Sequence, residues 1–240
     1  MYEERKYRNL FKESNLIFFD ARIMETDLRI GAERELKREA LESIKKHRGI
    51  IEEYIRLHHD FLTSLEPISA SEDAPFIIKS MCEAASMAGV GPMAAVAGAL
   101  SEMVGKDLLK LSGEIIVENG GDIYILTKSV RKVGIYAGDS PLSEKLAIEI
   151  NPADTPLGIC TSSGTVGHSL SFGKADAAVV TAKNSFIADA AATAVGNLVK
   201  SPSDMEKAIQ FGSSIPGVSG IVIIAGGTMA AWGNIKLLEL

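Results

Sequence analysis

From about Arg34 to Leu65, apolar residues recur every three or four positions. Leu36, Ala40, Leu41, Ile44, Ile51, Tyr54, Ile55, Phe61 and Leu62 fall on one stripe, with acids and bases between them. That spacing predicts a single long amphipathic helix. Upstream, NLIFFDARIMETDLRIGAE sets two short apolar runs around a polar break, the pattern of a strand pair. Downstream, EPISASEDAP ends the helix with prolines and small polar residues. Residues 75–88 predict a second helix, which GVGP interrupts. A third runs from about Met93 to Leu109, with Pro92 in its first turn, where a missing N–H costs nothing.

The period then changes. GEIIVENGGDIYIL, RKVGIYAG, KLAIEI, GICTSSG and DAAVVTA are short runs with strand character. SFIADAAATAVGNLVK and SPSDMEKAIQFGSS return to helical spacing, the second behind a Ser/Asp cap signal. GVSGIVIIAGG and GNIKLLEL predict closing strands, with AGGTMAAWG a turn on which Trp232 packs as a cap. Mixed helices and hairpin-like strand neighbours predict an α+β fold, a largely antiparallel sheet packed with helices, in one domain over residues 1–240.

Composition narrows the partners. The net charge of −6, without a basic patch interleaved with aromatics, excludes a broad nucleic-acid surface. Cys82 and Cys160 lie in unrelated contexts with no CxxC, which argues against a disulfide framework or a zinc site and for the cytoplasm. Residues 82–105 are long enough to span a membrane but are rich in Ala, Gly, Ser and Met, with Pro92, Glu83 and Glu102 among them; they predict a buried helix and no membrane partner. The small residues at 84–105 also suit a close helix contact in a homodimer, so a homo-oligomer is expected. The N-terminus, MYEERKYRNLFKES, is too charged for a signal peptide.

Four stretches carry candidate chemistry. In ENGGDI, Gly120 and Gly121 interrupt what reads as a strand, letting a ligand or another strand reach the backbone, with Asp122 at the edge; the plain alternative is a β-bulge with Asp122 capping a turn. In TSSGTVGHSLSFGKAD, hydroxyls and backbone N–H groups suit a phosphate or carboxylate, and a polar hairpin loop is the alternative. His168 lies in that loop, whereas His47, His58 and His59 sit on the long helix and are expected at the surface. In ADAAATA, Asp189 and Thr193 are four apart on one helix face, where a carboxylate and a hydroxyl can hold Mg2+; a dipole-favoured Asp with a back-bonded Thr is the alternative. GVGPMA matches G-x-G-x-x-A, but no strand precedes it and no acid follows at the spacing of a dinucleotide fold.

The order VENGGDIYI, CTSSG, ADAAATAV resembles that of the ApbE-type flavin transferases, the FAD:protein FMN transferases. That family carries Asn-x-Gly-Gly-Asp at a strand end, then a Thr-Ser-Gly loop, then an Ala-Asp-Ala-x-x-Thr helix. Asn119, Gly120, Gly121 and Asp122 follow the first motif without its spacer; Thr161, Ser163 and Gly164 follow the second with one extra serine; Asp189 and Thr193 match the third. The resemblance implies an ApbE-like fold, Mg2+ on Asp189 and Thr193, and FAD or FMN held by Asn119, Gly120, Gly121, Asp122, Thr161, Ser163 and Gly164. Its histidine would correspond to His168 as the catalytic group. As a whole the chain looks most like an uncharacterised ApbE-like family of methanogenic archaea and anaerobic bacteria. It departs from the transferases in lacking a Lys-Gly and a following Asp in PMAAVAGALSE, and in its shorter loop after TSSG. Those departures keep a second reading open: the same fold binding another nucleotide or anionic metabolite, with FMN transfer lost.

Overall fold

The computed structural model describes residues 15–166 and 171–240. His168 therefore lies outside the described residues. The chain opens with β1 (Ile17–Ile23), β2 (Thr26–Ala32), α1 (Lys37–Leu57), the single turn α2 (Asp60–Thr63), α3 (Phe76–Ala88) and, after a 3-10 turn at Pro92–Ala95, α4 (Val96–Leu108). Five strands follow: β3 (Ile115–Asn119), β4 (Asp122–Leu126), β5 (Arg131–Gly134), β6 (Leu146–Ile150) and β7 (Leu157–Ser162). The rest comprises β8 (Ala177–Ala182), α5 (Ser185–Leu198), α6 (Met205–Ser213), β9 (Val218–Ala225), β10 (Thr228–Gly233) and β11 (Lys236–Glu239).

Eight strands form one sheet in the order β1-β2-β3-β4-β7-β8-β9-β10, and β11-β6-β5 form a second. The pairings are antiparallel. The helices cover one face of the large sheet and the small sheet covers the other. Period-two alternation shows this directly: Ala178, Val180, Ile221 and Ile223 pack with the helices, while Ala177, Val179, Val222 and Ile224 pack toward the small sheet. With both faces covered, β8 is buried throughout and apolar but for Thr181, and most of β9 is buried and apolar.

Several expectations change. The long helix stops at Leu57, because His58 leaves helical geometry (φ −132°, ψ 78°), and Asp60–Thr63 is a separate turn. His47 is not at the surface: α1 packs on α4, burying the ring, and its Nε2 meets Asp107 at 2.9 Å. VENGGDIYIL is neither one interrupted strand nor a bulge. It is a two-residue hairpin in which Asn119 pairs with Asp122, and Gly120 and Gly121 take φ of +68° and +105°. Those angles suit the primed turns that tight hairpins use. Trp232 lies on β10, an edge of the large sheet, and is 40% exposed.

Most small residues of α3 and α4 are used within the chain. A Cβ on Gly105 would lie 2.4 Å from the Tyr124 ring, and one on Gly98 would lie 2.2 Å from the Ser185 carbonyl oxygen. Gly98 and Gly105 thus serve contacts inside the chain, while Ser86 and Gly89 remain exposed. Among the described residues no single helix is long and apolar enough to cross a membrane; α3 and the segment Pro92–Leu108 meet at a bend of 104° and contribute largely buried residues.

Candidate functional site

The hairpin turn, the end of β7, the start of α4 and the middle of α5 converge at one edge of the helical layer. Each part is held by identifiable bonds. Asn184 caps α5, accepting from the Ile187 N–H at 2.9 Å, and an alanine-rich sequence carries the helix onward. The buried Glu102 of α4 accepts from the Ser185 N–H at 2.6 Å and pairs with Lys106 at 2.7 Å. Asp189 follows one turn after Ser185, and its Oδ2 accepts from the Gly98 N–H at 2.8 Å. Only glycine at 98 lets α4 come this close, because a Cβ there would also sit 2.8 Å from the Asp189 Cβ.

On the strand side, Asp122 Oδ1 accepts from the Thr161 N–H at 3.3 Å. The fully buried hydroxyl of Ser101 donates within reach of both the Ala97 and Asp122 carbonyls, at 2.8 and 2.9 Å, tying α4 to β4. Asn119 Nδ2 donates to the Ala97 carbonyl at 3.2 Å. Glu118, also buried, accepts from the Gly121 N–H at 2.9 Å and fixes the turn.

The consequence is a buried acid pair. Burial raises the pKa of Asp122 well above the usual carboxylate value; repulsion from Asp189 and, more weakly, Glu118 adds to this, against bonds from the Cys160 thiol and the Thr161 N–H. Burial likewise pushes Asp189 up to about 7, against the backbone N–H groups of Gly98 and Ala97. The Cys160 thiol lies 3.7 Å from the Ser185 carbonyl, and burial and the two acids hold it strongly protonated. Two carboxyls sharing a nearly dry site either keep a proton or take a cation.

The other expected residues are placed as follows. Gly120 is exposed at the turn tip, and Thr161 and Thr193 are half-buried. Thr193 lies one helical turn beyond Asp189 on α5. Ser163 caps its own loop, accepting from the N–H groups of Thr165 and Val166 at 3.1 and 3.0 Å. Gly164 packs against Gly173 and donates its N–H to the Ala175 carbonyl at 2.9 Å. The roles of Gly98, Ser101, Glu102 and Cys160 were not legible from motifs. Gly98 stood inside a run of small residues that gave no sign of which one needs the space.

Among the described residues no group of three His, Cys, Asp or Glu side chains forms a complete metal site. Two surface cavities lie elsewhere, along α1. One of about 580 Å³ is bordered by Tyr54, His58 and Pro75; one of about 240 Å³ is bordered by Ser43, Lys46 and Asp107.

Known structures share this architecture. The flavinyl transferase ApbE of Pseudomonas stutzeri, in apo form, superposes with a TM-score of 0.58 and 14% identity, covering 91% of this chain and 94% of that one. The apbe protein of Thermotoga maritima gives 0.56 and 13%, covering 92% and 96%. At such identity the likeness is one of fold, and the class it defines is the ApbE-like α+β proteins. A family model described as "AbpE bacteria" matches residues 8–230. A UPF0280 protein of Methanococcus aeolicus is 43% identical over 219 residues, covering 89% of this chain and 88% of its own length. One of Methanocella arvoryzae is 42% identical over 214 residues, covering 89% and 87%. The chain belongs to the UPF0280 family, an ApbE-like family.

Proposed function

We propose that this protein binds a flavin nucleotide, FAD or FMN, with Mg2+ at the Asp122–Asp189 edge, and that it acts as a flavin transferase-like enzyme. The observation that carries the reading is the buried acid pair, Asp122 at the start of β4 and Asp189 on α5. A Mg2+ site of one or two carboxylates, completed by phosphate oxygens and water, fits this donor set. Asp189 and Thr193 would hold the ion, with Asp122 beside them. When bound, the ion would neutralise pyrophosphate charge at the bond to be broken.

The chain's own groups divide the remaining work. Gly120 and Gly121 present a turn without side chains, against which a ligand can lie. Asn119 and Ser101 fix the Ala97 carbonyl and the start of α4 relative to Asp122. Thr161, Ser163 and Gly164 form the neighbouring wall, and His168 is the proposed proton carrier.

The test is a titration of the whole chain with FAD, followed by flavin fluorescence with and without Mg2+. Mg2+-dependent binding that Asp189→Ala abolishes supports the reading; binding that Asp189→Ala leaves intact refutes the metal role. Loss of FMN transfer with retained binding in His168→Ala would support its part.

A second reading is favoured by one observation. The start of α4 offers only Ala97, Gly98 and the committed Ser101 and Glu102, with no lysine. On this reading the same pocket takes another phosphorylated or carboxylated metabolite. FAD would then fail in both conditions, while such a metabolite would raise the melting temperature with Mg2+.

A further inference from the structure

Phe172 leaves half of its surface, 52%, in solvent. Its main chain is nonetheless held on both sides: the Phe172 N–H donates to Asn197 Oδ1 of α5 at 2.8 Å, and Lys200 Nζ, two residues past the end of that helix, donates to the Phe172 carbonyl. The next residues are fixed as firmly. A Cβ on Gly173 would sit 1.8 Å from the Gly196 carbonyl oxygen, and one on Gly164 would sit 2.2 Å from the Gly173 carbonyl oxygen. The Lys174 N–H donates to the Val199 carbonyl at 2.7 Å. Three backbones thus stack without side chains between them, and an apolar ring is held out at their edge. Single exposed apolar residues are ordinary on protein surfaces. A ring whose own N–H and carbonyl are both hydrogen-bonded stands on an ordered backbone, with less conformational entropy left to lose on binding.

Position links this ring to the acid pair. Gly164 follows Ser163 in the loop that leaves β7 just after Thr161, and it packs on Gly173, the residue next to Phe172, so Phe172 borders that wall. Asp189, Thr193 and Asn197 follow one another at four-residue steps along α5. At 1.5 Å per residue, the anchor of Phe172 is about 12 Å along the helix from Asp189. A ribityl phosphate with its ring, or a nucleoside diphosphate, covers a distance on that scale.

We infer that Phe172 is the stacking platform of this site and takes the face of a planar heteroaromatic ring, a flavin or a nucleobase, whose phosphates lie toward Asp189. The inference rests on the proposed function and names the residue that reads the ring. Aromatic–ring stacking of this kind is sequence-tolerant and depends on π-area as well as on volume. Asn197 and Lys200 are positioning residues that hold the Phe172 backbone.

The experiment is a set of equilibrium titrations of the full chain with FAD, FMN and ADP in excess Mg2+. Phe172→Ala should weaken binding about tenfold. Phe172→Leu, which keeps bulk without a π-face, should weaken it nearly as much, and Phe172→Trp should restore it with quenching of indole emission. The melting temperature should barely move, since the ring is exposed. Weakening of FAD and FMN alone identifies the flavin ring as the stacked group; equal weakening of ADP identifies the base. If wild type binds and Phe172→Ala binds equally well, while Asp189→Ala does not bind, the platform is refuted and the proposed function stands. If wild type binds none of the three, both fall together.

Discussion

Replacing Asp189 by asparagine removes one charge from a buried pair and should stabilise the metal-free protein at neutral pH. Burial raises this carboxyl from 3.8 to about 7. A group whose folded pKa lies above its unfolded value contributes stability that is full below the unfolded value and is lost as pH rises through the folded one. In the wild type that loss runs from about pH 4 to about pH 7 and, for a shift of this size, is on the order of 4 kcal/mol. Asparagine never ionises. Its carbonyl oxygen can still accept from Gly98, but it gives up the second bond to Ala97, at a cost of about 1 kcal/mol. The variant should therefore exceed wild type by about 2–3 kcal/mol at pH 8 and fall level with it, or slightly below, at pH 4. Urea unfolding in EDTA at both pH values measures the difference, provided the slope of free energy with urea is unchanged. A difference of the same size at pH 4 and pH 8 would refute the buried-pair reasoning.

Other consequences can be checked the same way. Gly98→Ala should cost about 1–3 kcal/mol and remove any effect of Mg2+ on melting, because its Cβ would collide with the Ser185 carbonyl and the Asp189 Cβ. Gly121→Val, at φ +105°, should cost about 1–2 kcal/mol in thermal unfolding, whereas Gly120→Asn, at a turn position asparagine favours, should be tolerated. Asp107→Ala should cost about 2 kcal/mol, since it removes the partner of the buried His47 and of Ser43. Burial works against the Asp107 carboxylate, but bonds from Lys110, His47, Lys46 and Ser43 outweigh it and hold its pKa well below the usual range. That stabilisation is full above pH 3.8 and fades only as pH falls toward the group's own lower value, so the gap to the variant should narrow in acid.

The pattern of the chain carried the fold further than it carried the site. Runs such as DAAVVTA and GIVIIAGG read as strands because both faces of β8 and β9 are covered, leaving no polar side to confuse the period. The order of the three motifs named the fold class. The end of α1 was not legible, because Phe61 and Leu62 continue the helical spacing although the chain has already turned at His58. His47 read as a surface residue because its place among Lys45, Lys46 and Arg48 hides the contact with α4. The meeting of Asp122 and Asp189 had no local trace at all. One comes from a strand end and the other from a helix, and the space between them depends on Gly98 and Ser101, in a third element.

That meeting ties metal affinity to protons. A divalent ion can bind the pair only when the carboxyls give up what they hold, and both are raised above the usual value. Below about pH 7 each proton displaced should lower the apparent Mg2+ affinity about tenfold per pH unit. Calorimetric titration with Mg2+ from pH 5.5 to 8.5, roughly centred on that value, should show affinity rising and then levelling. The slope has its own meaning. Two interacting carboxyls lose their protons in steps that belong to the pair. A slope near one would mean that the two share a single proton, and a slope near two that both are neutral in the metal-free protein. In Asp189→Asn binding should weaken and the slope should not exceed one, since Asp122, still raised by burial, is then the only one of the two with a proton to lose. Mg2+ binding that is flat across this range would place the ion away from the pair, and the metal role of Asp189 would be wrong.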